Sequence, residues 1–158
     1  MILRPHLRVL KLYVSPGHNF FGHHDTHAGE HPTLEVPEVN IIAGSGIEGD
    51  RFFDYKKEYK GQVTFFDYAV YQSLCAELSV SDKSPAVFRR NVLTIGCNLN
   101  DLIGHEFEVQ GIRFAGIEES RPCAWMNEAF GPRAESALRG RGGLRTRVLT
   151  SGLLHSES

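Results

Sequence analysis

The chain has 158 residues, of which 41% are hydrophobic and 23% are charged, and these values are typical of one folded domain rather than of a disordered chain. The formal net charge of −2 and the pI near 6.4 exclude a general electrostatic attraction to nucleic acid or to an anionic membrane surface. No apolar run reaches the roughly 18 residues that a membrane-spanning helix needs, so we expect no transmembrane segment.

The N-terminus and the cysteines indicate the compartment. Residues 1–14 are apolar but contain a proline and several basic residues, a pattern that argues against a signal peptide. The three cysteines, Cys75, Cys97 and Cys123, show no C-x-x-C spacing. We therefore expect neither a disulfide framework nor a four-cysteine zinc site, and we predict a protein of the reducing cytoplasm.

Short strand-like segments alternate with turn signals along the chain. Alternating and β-branched residues predict strands at residues 7–14, 34–43, 62–66, 92–95, 105–109, 112–117 and 144–150. Pro37 predicts a break, a bulge or an edge position within the second of these segments. The many short strands predict a mainly β (β-rich α+β) fold, arranged as a β-rich barrel with two or three short helices.

The helical segments are few. Asp67 is a predicted N-cap, and the helix after it has an apolar face formed by Tyr68, Tyr71, Leu74, Cys75 and Leu78. Shorter helical segments are predicted at residues 86–90, 124–130 and 132–139. The glycines at 44, 46 and 49 match G-x-G-x-x-G, but the bulky residues 50–55 that follow do not suit a dinucleotide-binding helix, so we interpret them as a glycine-rich turn.

Cys123 lies between a strand-like and a helix-like segment, directly after Pro122. A position at a helix N-terminus, with Arg121 two residues upstream, favours the thiolate. The functional interpretation is a reactive thiolate that carries sulfur or binds a soft metal. The alternative is a buried, inert cysteine.

Three groups of arginines can converge on this cysteine. They are Arg51 in a glycine-rich loop, Arg89 and Arg90 next to Asn91, and the late arginines Arg139, Arg141, Arg145 and Arg147. Guanidinium groups bind phosphate in a bidentate manner, and glycines let backbone N–H groups approach an anion. Together they suit a cofactor with phosphate at one end and sulfur chemistry at the other; the alternative is a set of solvated surface arginines.

Five of the eight histidines are concentrated between residues 18 and 31. His23, His27 and His31 have a spacing that would place three imidazoles on one helical face for zinc, iron or copper. Gly22, Gly29 and Pro32 interrupt this segment and no apolar stripe accompanies it. We therefore interpret it as a polar loop, with a histidine metal site as the alternative.

Five segments in order resemble a MOSC domain, the domain found at the C-terminus of molybdenum cofactor sulfurases and in stand-alone bacterial proteins. They are GIEGDRFFDY (46–55), RRNV (89–92), LIGHEFEVQGIRF (102–114), ESRPCAWM (119–126) and RGGLRTRVLTSG (141–152). The resemblance covers most of the chain and implies a single MOSC domain over residues 1–158 with a β-barrel fold. The HNFFGHH segment (18–24) resembles an extension of some bacterial members.

The resemblance implies a molybdenum cofactor (molybdopterin) and a role for Cys123 as a persulfide sulfur carrier or a molybdenum ligand. The expected cofactor-binding residues are Arg51, Arg89, Arg90, Asn91, Arg121 and Arg141. The expected partners are a cysteine desulfurase or other sulfur donor, or a redox partner for the reduction of N-hydroxylated substrates.

Two domains that accompany MOSC elsewhere have no counterpart in the 158 residues. They are the pyridoxal-phosphate-dependent desulfurase domain and the N-terminal domain of the amidoxime-reducing enzymes, so pyridoxal phosphate is not expected in this chain. The alternatives to a cofactor enzyme are a non-catalytic adaptor for cofactor or sulfur delivery and a metal-binding protein that uses the histidine segment.

Overall fold

The computed structural model describes residues 1–16 and 33–157. The predicted histidine segment, which contains His18, His23, His24, His27 and His31, lies outside the described residues. The two described ends that flank it are held together, because the hydroxyls of Ser15 and Thr33 are hydrogen-bonded at 2.9 Å. Within the described ranges, no helix is long and apolar enough to cross a membrane.

The described residues form eleven β-strands and three short α-helices. The strands are β1 (Ile2–Leu3), β2 (Arg8–Val14), β3 (Leu34–Val36), β4 (Glu38–Ile42), β5 (Gly46–Ile47), β6 (Val63–Asp67), β7 (Val92–Ile95), β8 (Glu106–Val109), β9 (Ile112–Glu119), β10 (Leu144–Val148) and β11 (Gly152–His155). The helices are α1 (Tyr68–Leu78), α2 (Trp125–Ala129) and α3 (Ala134–Ala137), and two 3-10 helices span Pro85–Phe88 and Leu99–Leu102. This composition confirms the predicted β-rich α+β class.

The strands form two sheets. The larger sheet has the order β1-β8-β9-β10-β6-β7-β2-β3, and the smaller has the order β11-β4-β5. Two neighbouring pairs, β1 with β8 and β6 with β7, are parallel, and the other pairs are antiparallel. Helix α1 joins the parallel strands β6 and β7, as a parallel connection requires a crossover.

The central strands of the larger sheet are buried on both faces. Because successive strand residues point to opposite faces, Phe65 and Val92 enter one core while their neighbours Phe66 and Leu93 enter the other. The first core is shared with the smaller sheet, which contributes Val39, Ile41, Ile47 and Leu154. The second core lies under the helices. The predicted barrel is therefore realised as two sheets that enclose one core, with the helices packed outside.

The local signals in the sequence explain the helix positions. The Asp67 side chain accepts a hydrogen bond from the Ala69 N–H at 3.0 Å, which confirms the predicted N-cap of α1. Pro37 separates β3 from β4, which confirms the predicted break. The segment after Gly49 forms turns rather than a helix, which confirms the glycine-rich turn. The helix predicted from residue 132 is shorter, because Arg133 adopts a left-handed conformation with φ 74°.

The sequence did not predict β1, β5 or β11. Two of these strands have only two residues, and β11 follows directly after a predicted strand. The pairing partners of β1 and β11 are distant in the chain, since β1 pairs with β8 and β11 pairs with β4, whereas the two-residue β5 pairs with the neighbouring β4. Such strands are stabilised by tertiary pairing, which a local pattern does not reveal.

The shared core contains three mutually contacting rings, and truncating one of them should be costly. Phe114 is fully buried, with ring centroids 5.2 Å from Phe65 and 5.5 Å from Phe107. We expect Phe114→Ala to lower the free energy of unfolding by about 3–5 kcal/mol, because it leaves a cavity. Urea denaturation measures this loss. In Leu153→Ala, whose parent side chain is 51% exposed, the change should stay within about 0.5 kcal/mol; similar losses in both would contradict the described core.

Candidate functional site

A cavity of about 750 Å³ lies on the helix-covered side of the larger sheet, near the end of β9 and the beginnings of β6 and β10. Thr64 and Arg145 point to this side, because their strand neighbours enter the core shared with the smaller sheet. The cavity is lined by Arg51, Phe52, Tyr59, Gly61, Thr64, Arg89, Arg90, Glu118, Glu119, Ser120, Arg121, Cys123, Ala124, Trp125 and Arg145. The fold thus brings five separate chain segments to one site.

Cys123 is exposed and lines this cavity. Its carbonyl oxygen accepts a hydrogen bond from the Met126 N–H at 2.9 Å, so the cysteine directly precedes the first turn of α2. The alternative of a buried cysteine is therefore wrong for Cys123. Cys75 and Cys97 are half-buried and do not line the cavity.

Arg51 supplies hydrogen-bond donors without partners. Its Nε and Nη1 atoms are buried and make no hydrogen bond within residues 1–16 and 33–157. The guanidinium carbon lies 4.8 Å from the centroid of the Phe52 ring. Burial lowers the pKa of Arg51, and the neighbouring Asp50 opposes this shift. A buried guanidinium in this position has unused capacity to bind an anion.

Arg89 stacks on Trp125 across the cavity. The guanidinium carbon lies 4.4 Å from the ring centroid, and the indole Nε1–H donates to the carbonyl of Val87 at 3.2 Å. Arg89 itself has φ 56°, an uncommon left-handed conformation at the end of the 3-10 helix. Burial lowers the pKa of Arg89 to about 10, and the charge of Arg51 acts in the same direction.

Arg90 has a different task from Arg89. Its guanidinium donates to three backbone carbonyls: Gly142 at 3.0 Å, Ser120 at 3.0 Å and Phe88 at 3.3 Å. Burial lowers its pKa to about 10, with Cys123 opposing the shift and Arg51 adding to it. Arg90 therefore joins three segments of the cavity wall, including the one that leads to Cys123, and contributes positive charge beside the thiol.

Arg145, Tyr59 and Glu118 form a polar group of which the sequence analysis named only Arg145, as one of four late arginines that could converge on Cys123. Arg145 Nη2 donates to the Tyr59 hydroxyl at 2.9 Å, and Nη1 lies 3.3 Å from a Glu118 carboxylate oxygen. Arg145 was one of the late arginines, but nothing in the local pattern separated it from the others. The available signal for Tyr59 was the aromatic content of a polar loop, where Phe52 and Tyr55 also lie.

Asn91 does not line the cavity but holds its wall. Its side chain accepts from the Thr64 N–H at 3.0 Å, and its Nδ2 donates to the Tyr13 carbonyl at 3.2 Å and to Asp50 at 3.3 Å. Asp50 also accepts from the Ser15 N–H at 2.9 Å. Asn91 is thus a buried residue that fixes the Arg51 loop. The sequence analysis expected it to contact the cofactor, but its side chain lies behind the cavity wall.

Arg141 also lies away from the cavity. Its Nη2 bonds both carboxylate oxygens of Glu77 at 2.9 Å, and its Nε donates to the Ala137 carbonyl at 3.0 Å. These contacts hold Arg141 between α1 and α3, so the structure does not bring it to Cys123. The other predicted cofactor residues, Arg51, Arg89, Arg90 and Arg121, do line the cavity.

The cavity carries excess positive charge. Of the residues that the structure describes, five arginines and two glutamates line it. Glu118 is paired with Arg145 and Lys60, and Glu119 accepts from the Gly142 N–H at 3.1 Å. The described ranges contain no group of three or more His, Cys, Asp or Glu side chains arranged to hold a metal. The arrangement suits an anion that contacts a thiol.

The fold resembles that of several solved structures. The YUAD protein from Bacillus subtilis matches with a TM-score of 0.78 and 18% identity, over 99% of this chain and 94% of that chain. YiiM from Geobacillus stearothermophilus matches with a TM-score of 0.68 and 12% identity, over 95% of this chain and 71% of that chain. YiiM from Escherichia coli matches with a TM-score of 0.64 and 16% identity, over 98% of this chain and 67% of that chain.

No protein-family model and no curated protein matches the sequence. At identities below 20%, the structural matches show a common fold and nothing about chemistry. The chain therefore shares its fold with YUAD and the two YiiM proteins.

Arg90 should stabilise the cavity wall through its three carbonyl contacts. We expect Arg90→Lys to lower the free energy of unfolding by about 1–3 kcal/mol, because an ammonium keeps the charge but does not span the three acceptors. The midpoint of urea unfolding measures the change. Arg121→Lys, at an exposed position of the same cavity, should change stability by less than about 0.5 kcal/mol. Equal stability of the two variants would contradict the structural task of Arg90.

Asp50 should make stability depend on pH. Burial raises its pKa above the ordinary value of 3.8, so the folded state binds this proton more tightly than the unfolded state does. The contribution of Asp50 is therefore fully present below the unfolded pKa and is lost as pH rises through the folded pKa. Relative to Asp50→Asn, the wild type should lose unfolding free energy as the pH rises above about 4, the pKa of an unfolded aspartate. Parallel stability profiles of the two proteins would contradict this assignment.

Proposed function

We propose that this chain is a MOSC-type protein that binds the molybdenum cofactor and uses Cys123 in sulfur chemistry. One observation carries the proposal: an exposed thiol shares a cavity with five arginines, and Arg51 has two buried N–H groups without partners in the described ranges. The five motif segments resemble MOSC domains. The YiiM proteins, whose fold this chain shares, are MOSC-domain proteins, which supports the same assignment.

The residues present fit this cofactor. Its phosphate is an anion that guanidinium groups bind, and Arg51, Arg89 and Arg121 all line the cavity. The volume of about 750 Å³ is within the range of small-molecule sites. The rings of Phe52 and Trp125 offer apolar surface to a heterocycle. When bound, the cofactor supplies the two-electron redox chemistry of molybdenum.

The protein contributes binding, orientation and a thiolate. Arg51 and Arg89 would hold the anionic end of the cofactor, and Arg90 fixes the segment from Ser120 to Cys123. A cysteine thiolate is both a soft metal ligand and a sulfur nucleophile. Cys123 therefore serves either as a molybdenum ligand or as a carrier of persulfide sulfur. Both uses require a reducing compartment such as the cytoplasm.

As a carrier, Cys123 accepts sulfur from a donor such as a cysteine desulfurase. As a ligand in an enzyme, it supports reduction of N-hydroxylated compounds and needs a redox partner. As a ligand, Cys123 is needed for the protein to retain molybdenum, and as a carrier it is not. Measuring the molybdenum content of the wild type and of Cys123→Ser therefore separates the two roles.

The first test is the molybdenum content of protein made in cofactor-competent cells supplied with molybdate, together with the mass of the Cys123 peptide. We expect near-stoichiometric molybdenum and a loss of about tenfold in cofactor affinity for Arg51→Gln, because a charge-assisted contact is removed. Cys75→Ser is the matched control for Cys123→Ser, because Cys75 lies outside the cavity.

The outcomes separate the alternatives. Loss of molybdenum in Cys123→Ser alone identifies a ligand, whereas retained molybdenum with an extra sulfur on wild-type Cys123 identifies a carrier. Retained cofactor with no persulfide and no effect of Cys123→Ser would leave a non-catalytic adaptor. Protein with neither molybdenum nor a persulfide would overturn the proposal.

A further inference from the structure

We infer that Cys123 accepts sulfur directly from small anionic sulfane-sulfur donors, such as thiosulfate or glutathione persulfide, that bind on the arginines of the cavity. This inference rests on the persulfide-carrier form of the proposed function and names its donor class. It requires that the thiol be reachable from solvent, that an anion be held beside it, and that the leaving group be stabilised.

The first requirement is access. Cys123 is exposed, and the cavity it lines has a volume of about 750 Å³, which is enough for either donor. Cys75 and Cys97 are half-buried and lie outside the cavity. Small molecules can therefore reach one thiol of this chain selectively.

The second requirement is anion binding next to that thiol. Arg51 presents two buried donors without partners in the described ranges, and its charge lies close enough to lower the pKa values of Arg89 and Arg90. A bound anion relieves this repulsion. A protein donor would present its persulfide on its own loop and would need no cationic lining around the acceptor, so the lining favours a small anion.

The third requirement is the reaction itself. The Cys123 thiol releases its proton to water, and the thiolate attacks the outer sulfur of thiosulfate. A new S–S bond forms at Cys123 while the original S–S bond breaks, and sulfite leaves with the bonding electron pair. The Cys123 sulfur is oxidised to the disulfide level and the central sulfur of thiosulfate is reduced to sulfite, so no other oxidant is needed. With glutathione persulfide, the leaving group is glutathione thiolate.

In both reactions the product that leaves is an anion formed beside the arginines. Fixed positive charges that face a developing anion lower the barrier to its departure. The same arginines would afterwards hold the phosphate of the cofactor. The donor and the cofactor therefore bind the same subsite in turn, and inorganic phosphate should compete with the donor.

The test uses reduced full-length protein incubated separately with thiosulfate and with glutathione persulfide. Intact mass and peptide mapping report one added sulfur atom on Cys123, and thiocyanate formed on addition of cyanide reports turnover. We expect loading of the wild type and none of Cys123→Ser. Arg51→Gln should load about tenfold more slowly, as expected for one lost charge-assisted contact. Inorganic phosphate should raise the donor concentration that gives half-maximal loading of Cys123.

Two controls separate anion binding from thiol reactivity. Arg113→Gln removes an exposed arginine outside the cavity and should load like the wild type. Iodoacetamide, which is uncharged, should alkylate Cys123 in Arg51→Gln within about twofold of the wild-type rate.

Wild-type protein that is alkylated at Cys123 but loaded by neither donor would overturn the inference. So would equal loading of Arg51→Gln and the wild type, or loading by a cysteine desulfurase alone. Loading by one donor and not the other supports it and identifies the source. The molybdenum content of the same preparation is measured independently. Molybdenum without loading would overturn only this inference, whereas loading without molybdenum would overturn only the cofactor assignment.

Discussion

Hydrogen bonds stabilise a buried guanidinium, and at Arg90 these bonds organise the candidate site. Its three acceptors are carbonyls from the 3-10 helix, from the residue after β9 and from the loop before β10. The segments after β9 and before β10 already lie together because these two strands pair, and Arg90 joins the 3-10 helix to both of them. Their meeting places Cys123 beside a fixed positive charge, so the chemistry at the thiol depends on a contact that is structural in origin.

Gly142 and Gly143 allow this close packing of the segments, and they do not form an anion-binding loop. A Cβ at Gly142 would lie 2.3 Å from the Ser120 carbonyl oxygen, and one at Gly143 would lie 2.5 Å from the Phe65 carbonyl oxygen at a φ of 116°. The Gly142 N–H is directed to the Glu119 carboxylate. Gly142 lets the loop approach the segment before Cys123 closely, Gly143 lets it approach β6, and Arg90 then joins the loop to the segment before Cys123.

The predictable features of this chain were local, and the others depend on side-chain direction in three dimensions. Asp67 as an N-cap and the break at Pro37 follow from one residue and its neighbours. Arg89 and Arg90 are adjacent and look equivalent in sequence, yet the left-handed conformation of Arg89 directs one to Trp125 and the other to backbone carbonyls. Arg145 enters the cavity and Arg141 does not, because Glu77 on a distant helix holds the latter.

The hydrogen bond between Ser15 and Thr33 joins the end of β2 to the start of β3, on either side of residues 17–32. Asp50 holds the Ser15 backbone from the other side, next to Arg51. Because the entropy of closing a loop grows by only about 0.6 kcal/mol for each doubling of its length, an insertion point closed in this way tolerates segments of very different size. The same framework can therefore diversify beside its arginine loop during evolution, or accept engineered peptides there, while β2 and β3 keep their pairing.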